Sequence, residues 1–253
     1  MPCSTGHRRR VVFLAIVVSL LCGVLNGAAF AQSTPPSDPP PTSEYAFSDR
    51  SRAGWKGAIV DSTRLLLIQH TTRIIFHPRT RRELGGPFLR DYFQSVSRPR
   101  TWSDGDDRLV NYVGHPIQGA AAGYIWIAHD PRAPALSAGF TRDYWASRGR
   151  ATAWSAIYSV QFELGILSEA SIGNIGLNPR DTGWSDYVMT PLGGLAFMVA
   201  EDLAERHVLP WLESRVDSHI LHKIFRMAIT PSRAFANMGQ GHMPWFRPAS
   251  AAR

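Results

Sequence analysis

From Trp55 to Phe76 apolar residues return at helical intervals, with Ile59, Leu66, Leu67 and Ile74 marking the face expected to turn inward. This helix should end at His77-Pro78, because proline disfavours the α conformation in the residue before it. The stretch TRRELGG reads as a polar break, a short helix is predicted over 87–96, and RPRTWSDGDD reads as a loop. Longer helices are predicted over 115–129, 141–169, 185–207 and 211–229, with a short one after Pro231. The apolar runs follow a period of about 3.6 rather than about 2, and neither a hairpin signal nor a solenoid repeat is present. The expected fold is all-α: a compact bundle of five or six helices with close small-residue crossings.

The stretch GHPIQGAAAGY carries the clearest packing signal. Proline suits a first helical position, so Pro116 is expected to open a helix with His115 as its cap and Gln118 placed to complete a capping box. Thr190-Pro191 and Thr230-Pro231 repeat this grammar, although Pro191 reads equally as a kink in a helix that starts near Ser185. Gly119 and Gly123, with Ala120 to Ala122 between them, leave a low helix surface against which another backbone can approach. The helix holding AWSAIYSVQFELGILSEAS is the candidate partner, and Gly193-Gly194 offer a second low surface.

Polar residues in these apolar segments supply the candidate chemistry. Glu163 interrupts an apolar run, and a carboxylate there needs a partner because an isolated buried charge is expensive. His115 is the expected partner, and Asp186 and Thr190, four residues apart, can reach the same end of the bundle. His115, Glu163, Asp186 and Thr190 are therefore the candidate site, able to do general acid/base work if they converge on a cleft, or to form a buried network that fixes helix register. Glu169 lies six residues beyond Glu163 and projects from a different helix face. His70 is expected in the core, His77 on the same face, and His129 at a helix end. His219 and His222 are three apart without a third metal ligand, and no nucleophile elbow, zincin, phosphate-loop or di-iron motif occurs. No cofactor and no metal is assigned.

As a set, HPIQG at His115 to Gly119, FELGILSEASIGN at Phe162 to Asn174 and DYVMTPLGG at Asp186 to Gly194 resemble an uncharacterised family of exported bacterial envelope proteins, a domain of unknown function. Phe162 stands where tryptophan is common in that pattern, and Glu169 comes later than its counterpart. The resemblance implies a helical fold and an envelope location, and it supplies no reaction.

The amino-terminal segment changes the picture of composition. Arg8 to Arg10, the apolar run VVFLAIVVSLLCGVL and Ala29-Phe30-Ala31 form the three parts of a secretory signal, giving 1–31 as signal peptide with an uncleaved anchor as the alternative. A Pro/Ser-rich linker over 32–48, a helical domain over 49–238 and a carboxy-terminal tail over 239–253 complete the expected organisation. Both cysteines, Cys3 and Cys22, fall in the signal, so the mature chain would have no disulfide. Loss of three arginines lowers the net charge from +7 to +4, too modest for a nucleic-acid binder. The remaining apolar runs are shorter than a bilayer span, and Trp245, Phe246 and Arg247 suit either a membrane interface or a tail packed back on the domain. The expected function is a structural or binding role at a membrane surface of the cell envelope or periplasm, with a membrane surface or an apolar ligand as partner. The alternative is an envelope hydrolase or transferase acting on lipid or cell-wall material through His115, Glu163 and Asp186.

Overall fold

The computed structural model describes residues 54–83, 88–97, 101–102, 107–130, 132, 141–171 and 183–247. The signal-peptide and linker assignments lie outside these residues. The described chain is all-α, as the apolar periodicity predicts. Helix α1 spans Trp55–Phe76, α2 Pro78–Glu83, α3 Phe88–Ser97, α4 His115–His129 and α5 Arg142–Leu164. Then come α6 (Ser185–Val188), α7 (Gly194–Leu203), α8 (Leu209–Glu213), α9 (His219–Ile229) and α10 (Pro231–Gly239).

Helix α4 is the centre of the bundle and packs against α1, α5, α7 and α10. Its small residues make this possible: Ala120, Ala121, Ala122 and Ile125 are fully buried, and a helix apolar around most of its circumference needs neighbours on every side. Leu65, Leu66, Tyr158, Phe162, Met198 and Ala236 complete the apolar core around it.

Among the described residues three segments are π-helical: Val110–Gly114 runs into α4, Met189–Gly193 joins α6 to α7, and Ala204–Val208 joins α7 to α8. Each contains or closely precedes a proline: Pro116, Pro191 and Pro210. A proline inside a helix cannot donate to the carbonyl four residues back and its ring crowds that carbonyl, and widening the preceding turn relieves both problems. The His115 N–H accordingly donates to the Val110 carbonyl, and the Leu209 N–H to that of Ala204, each five residues back. Pro116 therefore widens a continuing helical path instead of opening a new one. His115 is itself helical, and neither it nor Gln118 supplies a side-chain cap, which corrects the capping expectation. The choice left open at Pro191 resolves as a bulge, since α6 continues through Met189–Gly193 into α7.

Other expectations also need correction. The buried side of α1 carries Ala58, Asp61, Ser62, Leu65, Leu66 and His70, whereas Ile59 and Leu67 are exposed. Polar residues sit inward because each has a partner: Asp61 meets His129, and Ser62 accepts from the Trp154 indole at 3.0 Å. TRRELGG is not wholly a break, because Pro78 begins the short helix α2. Helix α5 ends at Leu164, earlier than the predicted 169, with Gly165 as its cap. The segment predicted as one helix over 211–229 is two, and Ser218 caps α9 by accepting from the Leu221 N–H.

Candidate functional site

His115, Glu163, Asp186 and Thr190 meet at one end of the bundle. All four are buried, with exposures of 7%, 3%, 3% and 1% respectively. His115 Nε2 lies 3.4 Å from Asp186 Oδ1, and His115 Nδ1 lies 3.4 Å from Thr190 Oγ1. One donor atom from each of His115, Glu163 and Asp186 falls within 4.8 Å of the other two. His115 thus has an ion-pair contact with Asp186, and Glu163, the partner expected from the sequence, offers an oxygen within 4.8 Å of both.

The local fold fixes each corner. The π turn before Pro116 sets the angle of His115, and the Ser159 hydroxyl near the end of α5 donates to the Asp186 carbonyl at 3.2 Å. The Ser185 hydroxyl donates to Asp186 Oδ1 at 3.1 Å. Beyond α5 the chain turns back so that the Ala170 N–H donates to the Glu163 carbonyl at 3.1 Å. Thr190 is held because Gly119 has no side chain: a Cβ there would lie 1.7 Å from the Thr190 carbonyl oxygen. The closest approach at Gly119 is therefore by Thr190 to Gly194, while α5, the expected partner, packs on the same small-residue helix. Helix α5 reaches the same place, where Ser155 Oγ donates to the Gly119 carbonyl and also faces Gly123.

Exposed apolar residues rim this end. Trp102 and Trp184 are each 53% exposed, with Tyr112, Leu109 and Val113 beside His115 in sequence. Trp102 and Trp184 are tied to the site's own backbone, because the Ser185 N–H donates to the Trp102 carbonyl at 3.0 Å and the Trp184 N–H to that of Thr101 at 2.7 Å. The Trp102 indole donates to the Tyr112 hydroxyl at 3.3 Å.

Glu169 belongs to a separate group, though not through helix angle: it lies beyond the end of α5 at Leu164, where the chain turns back and the Glu169 N–H donates to the Phe162 carbonyl at 2.8 Å. Its carboxylate lies 2.7 Å from the Arg73 guanidinium and 3.6 Å from His70 Nδ1. His70 is a core residue: it stacks on Phe162, its Nε2 faces the Leu167 carbonyl at 3.2 Å, and burial lowers its pKa despite the nearby Glu169. His77 is half-buried and its pKa is likewise lowered by burial. His129 ends α4 against Asp61 at 2.8 Å. His219 is exposed, and His222 Nε2 faces the Val216 carbonyl at 2.6 Å. The tail packs back as far as Arg247, whose guanidinium meets Glu205 and Thr230, while Asn237 donates to the Pro244 and Phe246 carbonyls.

Sequence reasoning missed a further polar cluster centred on Asp202. Its Oδ2 accepts from the Arg148 guanidinium at 2.6 Å and from the Tyr144 hydroxyl at 2.8 Å, and its Oδ1 meets Arg233 and, at 3.1 Å, the Tyr124 hydroxyl. Neighbouring Glu201 accepts from the Ser232 and Arg233 N–H groups at 2.8 and 3.1 Å. The available signal was the pair Glu201-Asp202 inside the otherwise apolar run LAFMVAEDLA. No protein-family model, curated protein or solved structure matches the chain.

Proposed function

We propose that the protein has a non-catalytic binding role at a membrane surface of the cell envelope, seating the His115 end of the bundle against the lipid interface. The observation that carries this reading is the rim of Trp102, Tyr112 and Trp184, with Leu109 and Val113, exposed together around that end. Indole and phenol rings have an apolar body and a polar edge, a combination favoured where acyl chains meet headgroups. Among the described residues no helix is long and apolar enough to cross a membrane, so the contact is proposed as peripheral. The positive net charge of the chain favours an anionic surface. His115, Glu163 and Asp186 are covered side chains, which supports a positioning role for them over turnover of a substrate.

The test is co-sedimentation with vesicles of phosphatidylcholine containing phosphatidylglycerol. The parent chain is expected in the pellet, and a Trp102→Ser/Trp184→Ser variant in the supernatant with an unchanged helical circular-dichroism spectrum. A parent that stays in the supernatant, or a variant that sediments as well as the parent, would overturn the reading.

A further inference from the structure

We infer that His115, Glu163 and Asp186 form a binding site for one divalent transition-metal ion, of which zinc is the representative probe. The inference is independent of the membrane reading, since it rests on the geometry of the three side chains alone.

The spacing is that of a ligand set. In tetrahedral zinc sites nitrogen and oxygen donors lie about 2.0–2.1 Å from the ion, which puts neighbouring donors about 3.3 Å apart. His115 Nε2 and Asp186 Oδ1 already stand 3.4 Å apart, and Glu163 offers an oxygen within 4.8 Å of both. A small side-chain rotation closes the triangle. One imidazole nitrogen with two carboxylate oxygens suits zinc, manganese or ferrous iron better than calcium or magnesium, which favour oxygen donors only.

The surroundings orient these donors. Thr190 Oγ1 lies 3.4 Å from His115 Nδ1, where accepting the Nδ1 proton leaves the Nε2 lone pair facing the carboxylates. Ser185 Oγ donates to Asp186 Oδ1 and fixes that carboxylate in turn. The charge balance agrees with this reading. Two carboxylates brought this close in a buried place repel each other, and a dication between them neutralises both while the imidazole stays neutral. Three protein donors leave a fourth position of a tetrahedral ion for water. The three ligands come from α4, α5 and α6, so the ion would also fasten these elements together beneath the aromatic rim.

The experiment uses the full chain, stripped with a chelator and dialysed, and titrated with zinc by calorimetry and with cobalt by visible absorption. One equivalent of zinc is expected, together with a cobalt spectrum of four-coordinate intensity and a melting temperature raised by zinc. Glu163→Gln and Asp186→Asn, which keep side-chain shape, should each weaken zinc binding by more than about tenfold, and Thr190→Val, which removes an orienting group, by about 10- to 100-fold. His219→Ala/His222→Ala should bind zinc as the parent does. The inference is overturned if the parent takes up no zinc, if the carboxamide variants bind it equally well, or if uptake follows His219 and His222. Should a carboxamide variant fail to fold, the Thr190→Val affinity and the parent cobalt spectrum decide. Parent-like affinity in Thr190→Val together with a six-coordinate cobalt spectrum overturns the site.

Discussion

Gly119 and Gly123 occupy equivalent places on one helix face, yet their neighbours differ in kind. A Cβ on Gly119 would lie 1.7 Å from the Thr190 carbonyl oxygen and 2.6 Å from its carbon, both backbone atoms of a segment that also holds Asp186 and Thr190 in place. A Cβ on Gly123 would meet the sulfur of Met198 at 2.6 Å, the far part of a flexible side chain that can swing aside. Alanine gains about 1 kcal/mol of helix propensity at either position, so the sign of each change depends on how far the neighbour can give. Gly119→Ala is expected to destabilise by about 1–3 kcal/mol or more through overpacking, and Gly123→Ala by clearly less. Urea unfolding midpoints of the two variants check this order, and equal losses would refute it. The sequence shows two small residues four apart. It does not show which one is backed by main chain, because that depends on how a distant segment is seated.

Among the elements, helix periodicity located the long segments well, and α1 and α4 have the predicted bounds. Their junctions were less legible, because a proline after a helical run permits a stop, a kink or a π bulge, and packing around Pro116, Pro191 and Pro210 selects the bulge. Capping at α10 shows the same limit. Thr230 was the expected cap, but its hydroxyl donates to the Arg226 carbonyl at 2.6 Å, and the first N–H groups of α10 are satisfied by Glu201 from α7. That carboxylate is buried, and burial pushes its pKa up to about 7 against the opposing pull of the Ser232 and Arg233 N–H groups. Between the ordinary 4.5 and about 7 the folded chain holds a proton that the unfolded chain has released. The Glu201 contribution to stability therefore falls as pH rises through this window. Glu201→Gln cannot titrate. The stability difference between parent and variant should accordingly move against the parent by on the order of 3 kcal/mol across the window. His70, whose pKa is lowered, acts with the opposite sign below 6.5, but it is common to both chains and cancels in the difference. Urea unfolding of both proteins at a series of pH values is the measurement, and parallel pH profiles would contradict the assignment.

Across the whole molecule, the candidate site was legible because its members lie near small residues and prolines that announce close packing, and His115, Glu163, Asp186 and Thr190 do converge. Its suitability for a metal was not, since the three donors come from separate helices and no local spacing joins them. The Asp202 cluster was hidden for a similar reason: Arg148 and Arg233 are far apart in the chain, and only the fold turns both towards one carboxylate. Asp202 ties together α4 through Tyr124, α5 through Tyr144 and Arg148, and α10 through Arg233. The side chains of Asp202 and Arg148 are each only 3% exposed, so removing the charge would leave a guanidinium buried without its counter-ion. Breaking such a buried pair costs about 3–5 kcal/mol, and Asp202→Asn is expected to fall in this range. The contact between Glu213 and Arg226 makes the comparison internal, because it has equally good geometry, at 2.7 and 3.0 Å, but keeps 21% and 30% of its side-chain surfaces in solvent. Solvent screens that pair, and Glu213→Gln should cost no more than about 1 kcal/mol. Chemical denaturation of both variants at neutral pH measures the contrast. A loss at Asp202→Asn as small as that at Glu213→Gln would mean that the buried arginine finds water or another acceptor when Asp202 is neutralised, and that the cluster does not hold the three helices together.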